Sequence, residues 1–249
     1  MAEANGRDPG RPGGAPGRTV ALVAAHREAA RVGDTVRALR GLGGLDDVVV
    51  VDDGSDDGTA AVALGAGATV LRVSRRVGKG RALEGALRRL PPADVWLFAD
   101  ADLGTTAATL EPVLEAARSG RADLAIAVPP PQPGGGFGIV RRFAAGAIRA
   151  LGGLEVRAPL SGQRAITGAA LLACRPLARG FGVETAMTIE AARRGFRVVE
   201  VPVDGLRHRA TGRGLRGFAH RGRQGIDVAA AAIRALLRRR LDRGAGGPR

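Results

Sequence analysis

Two carboxylates one residue apart, Asp100 and Asp102, close the apolar run Val95-Trp96-Leu97-Phe98-Ala99. Such a run reads as a buried strand, and open α/β sheets bind ligands at the carboxyl ends of their strands. Side chains alternate along an extended chain, so both acids are expected on one side, able to hold one hard divalent cation or its waters. A second acidic cluster, Asp52-Asp53-Gly54-Ser55-Asp56-Asp57-Gly58-Thr59, closes the β-branched run Val48-Val49-Val50-Val51. Asp is common in turns because it hydrogen-bonds its own backbone, yet two acid-tipped strands make ordinary turns the less economical explanation. Asp53 is expected beside the Asp100 tip, from an adjacent strand. Gly78-Lys79-Gly80 adds the chain's only lysine at the start of a helical pattern.

The elements that position these residues follow from periodicity. Thr19 through Ala25 reads as a first strand, and 34–42, with Val36, Leu39 and Leu42 at helical spacing, as the helix behind it. The acid-tipped strand 48–51 follows, then a helix over 59–64, a short strand over 69–73, a helix from Gly78 to Leu90 and the strand ending at Asp100. A helix over 110–119 and a strand over 124–128 complete a β-α-β-α alternation, which implies a parallel sheet with right-handed crossovers. Residues 129–138 form a Pro/Gly loop, readable as a substrate lid or as a plain linker. Beyond it come a helix over 139–151, an extended or turned segment over 159–166, a helix over 184–194, a strand over 196–203 and a basic terminal helix over 228–241. The expected class is α/β: a single Rossmann-like domain with a mostly parallel central sheet flanked by helices.

Composition narrows the function. The chain has 249 residues, 45% hydrophobic and 25% charged, which is globular. It carries no apolar stretch of membrane-spanning length, no secretory leader pattern and a single cysteine, Cys174, so a cytoplasmic location is the default. A formal charge of +14 suggests an anionic partner. Aromatic residues at 3% with no tyrosine argue against base-stacking surfaces, so nucleic acid is not an expected partner. The organisation read from the sequence is a disordered Gly/Pro/Arg-rich leader over 1–18, one domain over 19–225 and a basic helix and tail over 226–249. Within the domain, 19–128 is the nucleotide half and 129–225 the acceptor half.

Taken in order, Val51-Asp52-Asp53-Gly54-Ser55 with Asp57-Gly58-Thr59, Gly78-Lys79-Gly80, Asp100-Ala101-Asp102, Ser161-Gly162-Gln163-Arg164 and the 195–203 segment resemble family 2 glycosyltransferases of the GT-A fold. The likeness is greatest to the branch that transfers sugars to dolichol or polyprenyl phosphate, and covers roughly residues 20–213. It implies that Ala25, Glu28, Asp53, Lys79 and Asp100 hold a nucleoside-diphosphate sugar of the GDP-mannose or UDP-glucose type. It implies also that Asp100 and Asp102 bind Mg²⁺ or Mn²⁺, which neutralises charge on the departing nucleoside diphosphate. His208 is the candidate third ligand, against the alternative of a surface histidine. Arg209 and Arg213 suit the diphosphate, because guanidinium pairs bidentately with phosphate oxygens. The loop after the first strand departs from the family pattern, reading Ala24-Ala25-His26-Arg27-Glu28, and leaves the base open.

The acceptor side implied by the resemblance is Arg164, expected to meet an acceptor phosphate, and Glu184, a candidate base that alternatively charges a helix N-terminus. With Asp102 these are the expected catalytic residues. Inverting transfer to a hydroxyl needs a base, whereas a phosphate is already ionised near neutral pH, its second pKa being about 6. Where hydroxyl-directed relatives carry Glu-Asp this chain has Glu184-Thr185, which favours a phosphorylated acceptor, polyprenyl phosphate in the first instance. Ile226, Ala230, Ile233, Leu236 and Leu237 can form a stripe beside Arg234 and Arg238–Arg240, as in helices that touch an anionic membrane surface, or can pack on the core. The alternatives are a soluble transferase acting on a small phosphorylated acid or a hydroxyl, and an inactive nucleotide-sugar binder.

Overall fold

The computed structural model describes residues 17–130, 138–178 and 182–207. The strands are β1 (Thr19–Ala25), β2 (Asp47–Asp52), β3 (Thr69–Arg72), β4 (Val95–Asp100), β5 (Leu124–Val128), β6 (Arg164–Thr167) and β7 (Val198–Pro202). The helices are α1 (Val32–Arg40), α2 (Thr59–Gly65), α3 (Lys79–Leu87), α4 (Glu111–Arg118), α5 (Gly138–Gly152), α6 (Gly168–Cys174) and α7 (Val183–Arg193). One seven-stranded sheet runs in the order β3-β2-β1-β4-β6-β5-β7. All pairings are parallel except those of β6, which runs antiparallel to both β4 and β5.

Strands β1, β2, β4 and β5 are continuous apolar runs because both of their faces are covered. Ala21 and Val23 of β1 and Leu97 and Ala99 of β4 face one cluster with Val36 and Leu39 of α1 and Val113 and Leu114 of α4. Val20 and Leu22, with Trp96 and Phe98, face a second cluster with Leu83 and Leu87 of α3, Leu171 of α6 and Met187 of α7. The alternation puts neighbouring residues of one strand into two separate cores.

Several elements differ from the sequence expectation. After β4 the chain first makes a 3-10 helix over Gly104–Leu110, and α4 starts only at Glu111, with proline in its first turn, where an amide is dispensable. Helix α6 has no counterpart in the periodicity reading; it is seven residues long and is capped by Thr167, whose side chain accepts from the Ala170 amide. The 159–166 segment ends in β6, a strand of the second half lying between β4 and β5 of the first. Asp53 does not neighbour the Asp100 tip, because β1 lies between β2 and β4. The chain turns back from β3 across β1 to β4, so the switch point of the sheet, where such folds bind ligands, lies between β1 and β4. The 226–249 helix, most of the 1–18 leader and most of the 129–138 loop lie outside the described residues.

Leu97 is fully buried in the middle of β4, paired with Ala21 on one side and Ala165 on the other. Replacing it by alanine is expected to lower the unfolding free energy in urea by roughly 2–5 kcal/mol, from lost burial and the cavity left between rigid strands.

Candidate active site

The site is assembled at the carboxyl ends of β1 and β4. Extended structure stops at Asp100 and the chain turns through Ala101 and Asp102, so the two acids are not presented by strand alternation; a turn carries them. Asp100 Oδ1 accepts from Lys79 Nζ at 2.7 Å and Asp100 Oδ2 from Gln163 Nε2 at 2.7 Å. Lys79 Nζ also donates to Glu184 Oε1 at 2.7 Å. One ammonium thus joins the tip of β4 to the first turn of α7. Burial opposes the charge on Lys79, but the adjacent carboxylates of Asp100 and Glu184 outweigh it and raise the pKa well above the ordinary lysine value.

Lys79 is placed by Asp53. The Asp53 carboxylate, 5% exposed, accepts from the backbone amides of Val77 at 2.7 Å and Gly78 at 2.8 Å. Both of its oxygens therefore brace the start of α3, whereas the sequence reading had it facing the nucleoside. Gly78 has φ +93° and ψ 148° immediately before Lys79, a conformation that side-chain-bearing residues rarely adopt.

Gly162 and Gln163 come from the other half of the chain. The antiparallel ladder ends at Phe98 opposite Arg164, so the residues before β6 arrive at the tip of β4. A Cβ on Gly162 would lie 2.5 Å from Asp100 Oδ2 and 2.9 Å from Lys79 Nζ, so any larger residue here must displace the carboxylate or the ammonium. Gln163 is fully buried. A carboxylate oxygen accepts only, so the amide nitrogen of Gln163 must face Asp100. Sequence reasoning missed both residues: they stand inside the Ser161–Arg164 motif, but nothing local reveals that β6 runs antiparallel beside β4.

Arg164 is 1% exposed. Its Nε donates to the Ser161 carbonyl at 2.8 Å, and Nη1 donates to the Glu184 carbonyl at 2.8 Å and to Thr188 Oγ1 at 3.0 Å. Burial lowers its pKa to about 10, against the favourable charge of Glu184. The guanidinium thus ties the Ser161–Arg164 turn to the first turn of α7. Glu184, 5% exposed, sits in that same turn and its carboxylate is engaged by Lys79.

At the end of β1, the Ala25 carbonyl accepts from the Asp53 amide at 2.9 Å. His26 Nδ1 lies 2.9 Å from the Asp53 carbonyl, so Nδ1 carries the proton. The acidic cluster clips the following loop: Ser55 Oγ accepts from the Arg27 amide and Thr59 Oγ1 from the Glu28 amide, each at 2.9 Å. Glu28 in turn caps α1 through its carbonyl, which accepts from Arg31 and Val32.

Asp100 and Asp102 offer hard oxygen donors from one turn, which suits Mg²⁺ or Mn²⁺ better than a softer metal. Among the described residues no group of three or more His, Cys, Asp or Glu gathers as a metal site. The remaining expected residues, His208, Arg209 and Arg213, lie outside the described residues.

A sheet of this order with an acid-bearing turn after β4 is the GT-A arrangement of nucleotide-sugar-dependent transferases. The chain belongs to glycosyl transferase family 2, whose family profile matches residues 20–166. It is 33% identical over 186 residues to Glycosyltransferase AglJ of Haloferax volcanii, a match covering 73% of this chain and 60% of that relative. Among solved structures it is similar to glucosyl-3-phosphoglycerate synthase from Mycobacterium tuberculosis. In complex with Mg²⁺ and UDP, that protein has a TM-score of 0.73 and 26% identity, over 90% of this chain and 84% of the other. In complex with Mn²⁺, UDP and phosphoglyceric acid, the TM-score is 0.72 at 26% identity, over 88% and 78%.

Lys79→Met removes the cation that joins Asp100 to Glu184, whose side chains are 30% and 6% exposed. The variant is expected to be less stable by about 3 kcal/mol, because a buried carboxylate is left uncompensated. A lysine whose folded pKa is raised contributes stability that is complete below the unfolded value, about 10.4, and is lost as pH climbs toward the folded value. The difference between wild type and variant in urea should therefore stay constant from pH 6 to about 10 and shrink only above it.

Proposed function

We propose that the enzyme transfers a hexosyl group from a UDP-glucose-type donor to a water-soluble phosphorylated acid, with Mg²⁺ or Mn²⁺ held by Asp100 and Asp102 together with His208. The metal supplies Lewis-acid neutralisation of the leaving diphosphate. The observation that carries the reading is the Lys79 bridge from Asp100 to Glu184. Glu184 is engaged by an ammonium and almost fully buried, so it positions Lys79 and is poorly placed to take a proton from an incoming hydroxyl. An acceptor whose attacking oxygen is already ionised needs no side-chain base. The likeness to complexes that hold UDP and phosphoglyceric acid supports an acidic acceptor of this size.

A lipid-linked phosphate is the second reading, with contact at an anionic membrane surface from the cytoplasmic side. Helix α5 supports it: Ile139 and Phe143, one turn apart, are 84% and 50% exposed beside the exposed Arg141 and Arg142. Apolar side chains among arginines suit an anionic interface. No helix among the described residues is long and apolar enough to cross a membrane. Arg209 and Arg213 are assigned to the diphosphate in either case.

Nucleoside diphosphate release should be followed with a panel of nucleotide sugars and Mn²⁺, adding either phosphoglycerate or polyprenyl phosphate in vesicles. Release stimulated by phosphoglycerate and lost in Asp102→Ala supports the first reading; stimulation by the lipid alone replaces it with the second. No release with any donor of the panel removes both. Glu184→Gln, which can still accept from Lys79, is expected to keep kcat within about tenfold of wild type. A loss of 10²–10⁴, the usual cost of removing a general base, would show that Glu184 takes the proton after all.

A further inference from the structure

We infer that Gln163 is a positioning residue that orients the Asp100 carboxylate for the donor and ties it to the acceptor loop; the inference builds on the transferase reading above. Asp100 is 30% exposed and sits where the strand ends. Two donors fix it from opposite oxygens. Lys79 holds Oδ1 and Gln163 holds Oδ2, both at 2.7 Å. Gly162 packs against the same carboxylate, its Cα facing Oδ2 closely enough that a Cβ would meet it at 2.5 Å, and the side chain remains 30% exposed.

The two donors are not equivalent. Lys79 contributes charge on a four-carbon stem, which tolerates a range of carboxylate rotations. Gln163 is fully buried and neutral, and it sits one residue before β6, so its position is set by the antiparallel ladder to β4. A buried amide hydrogen bond to an ionised acceptor is shorter and stronger than a neutral one and selects one rotation of the carboxylate. Ser161 Oγ, 3.4 Å from both the carbonyl and the Oε1 of Gln163, orients the amide from behind. Gln163 touches neither donor nor acceptor on this account. It acts through Asp100, and because it belongs to the Ser161–Arg164 turn it makes donor geometry depend on the placement of the acceptor loop.

The test is a double-mutant cycle with Gln163→Met, similar in length but without a donor, in wild-type and Asp100→Asn backgrounds. UDP affinity in the presence of Mn²⁺ is measured by calorimetry, steady-state kinetics are measured with the donor found active, and urea stability is followed in parallel. Gln163→Met alone is expected to raise the Mn²⁺ concentration for half-maximal activity and the UDP dissociation constant by roughly 10–100-fold, the usual effect of removing an outer partner of a ligating group. In the Asp100→Asn background the same substitution should change either by less than about twofold. Equal losses in the two backgrounds, or a fall in stability with unchanged Mn²⁺ and UDP dependence, would overturn the inference. A wild type that neither turns over nor binds UDP removes the transferase reading instead. In that event the stability cycle still decides whether Gln163 and Asp100 are coupled, and additive losses in urea overturn the pairing itself.

Discussion

The Lys79 ammonium, in contact with Asp100 and Glu184 at once, is the interaction on which the site depends. Two carboxylates with 30% and 6% exposed side chains would repel each other without it. Its position is the joint product of three distant pieces of chain. Asp53 at the end of β2 accepts the Val77 and Gly78 amides and thereby sets where α3 begins. Arg164 in β6 holds the Glu184 carbonyl and so fixes the first turn of α7. The β4 strand brings Asp100 out of the core between them. The Asp52, Asp53, Asp57 and Asp100 carboxylates thus have backbone or ionic partners before any substrate arrives.

The acidic cluster after β2 works in the same way. Ser55 and Thr59 receive the Arg27 and Glu28 amides, Asp57 receives the Ala29 amide and the Thr59 amide, and Asp52 receives the Ser55 amide. Arg27 takes a positive φ of 58° in the loop so clipped. That backbone is uncommon for a residue with a side chain, and the cluster supplies the hydrogen bonds that hold it. The motif shapes the loop beside the switch point as much as it offers oxygens to a ligand.

What was legible in the sequence is what depends on local pattern. Apolar runs, two of them tipped with acids, gave β1, β2, β4 and β5 to within a residue or two, because both-face burial leaves a continuous hydrophobic signature. The four residues of β6 carry no such signature, and their pairing with β4 depends on a return of the chain that no local spacing records. The same blindness misplaced Asp53: strand order depends on which way the chain crosses, and β1 came to lie between the two acidic tips. The Asp100–Asp102 alternation failed for a different reason, since extended geometry ends at the first acid. Arg164 looked like a phosphate ligand by residue type, but residue type does not report burial, and at 1% exposure its guanidinium braces the interior.

The antiparallel sense of β6 has a functional consequence. A parallel strand in that place would present its carboxyl end at the tip of β4 and would need a crossover to enter; its amino-terminal loop would then lie at the opposite edge of the sheet. Running antiparallel, β6 brings the residues that precede it, Ser161 to Gln163, against Asp100. The acid that faces the donor and the turn that leads to the acceptor side then share a hydrogen bond and a close backbone contact. A shift of that turn changes the Gln163 hydrogen bond to Asp100 and the Gly162 contact together. The tip of β4 and the turn before β6 are therefore joined by packing at one glycine and one glutamine.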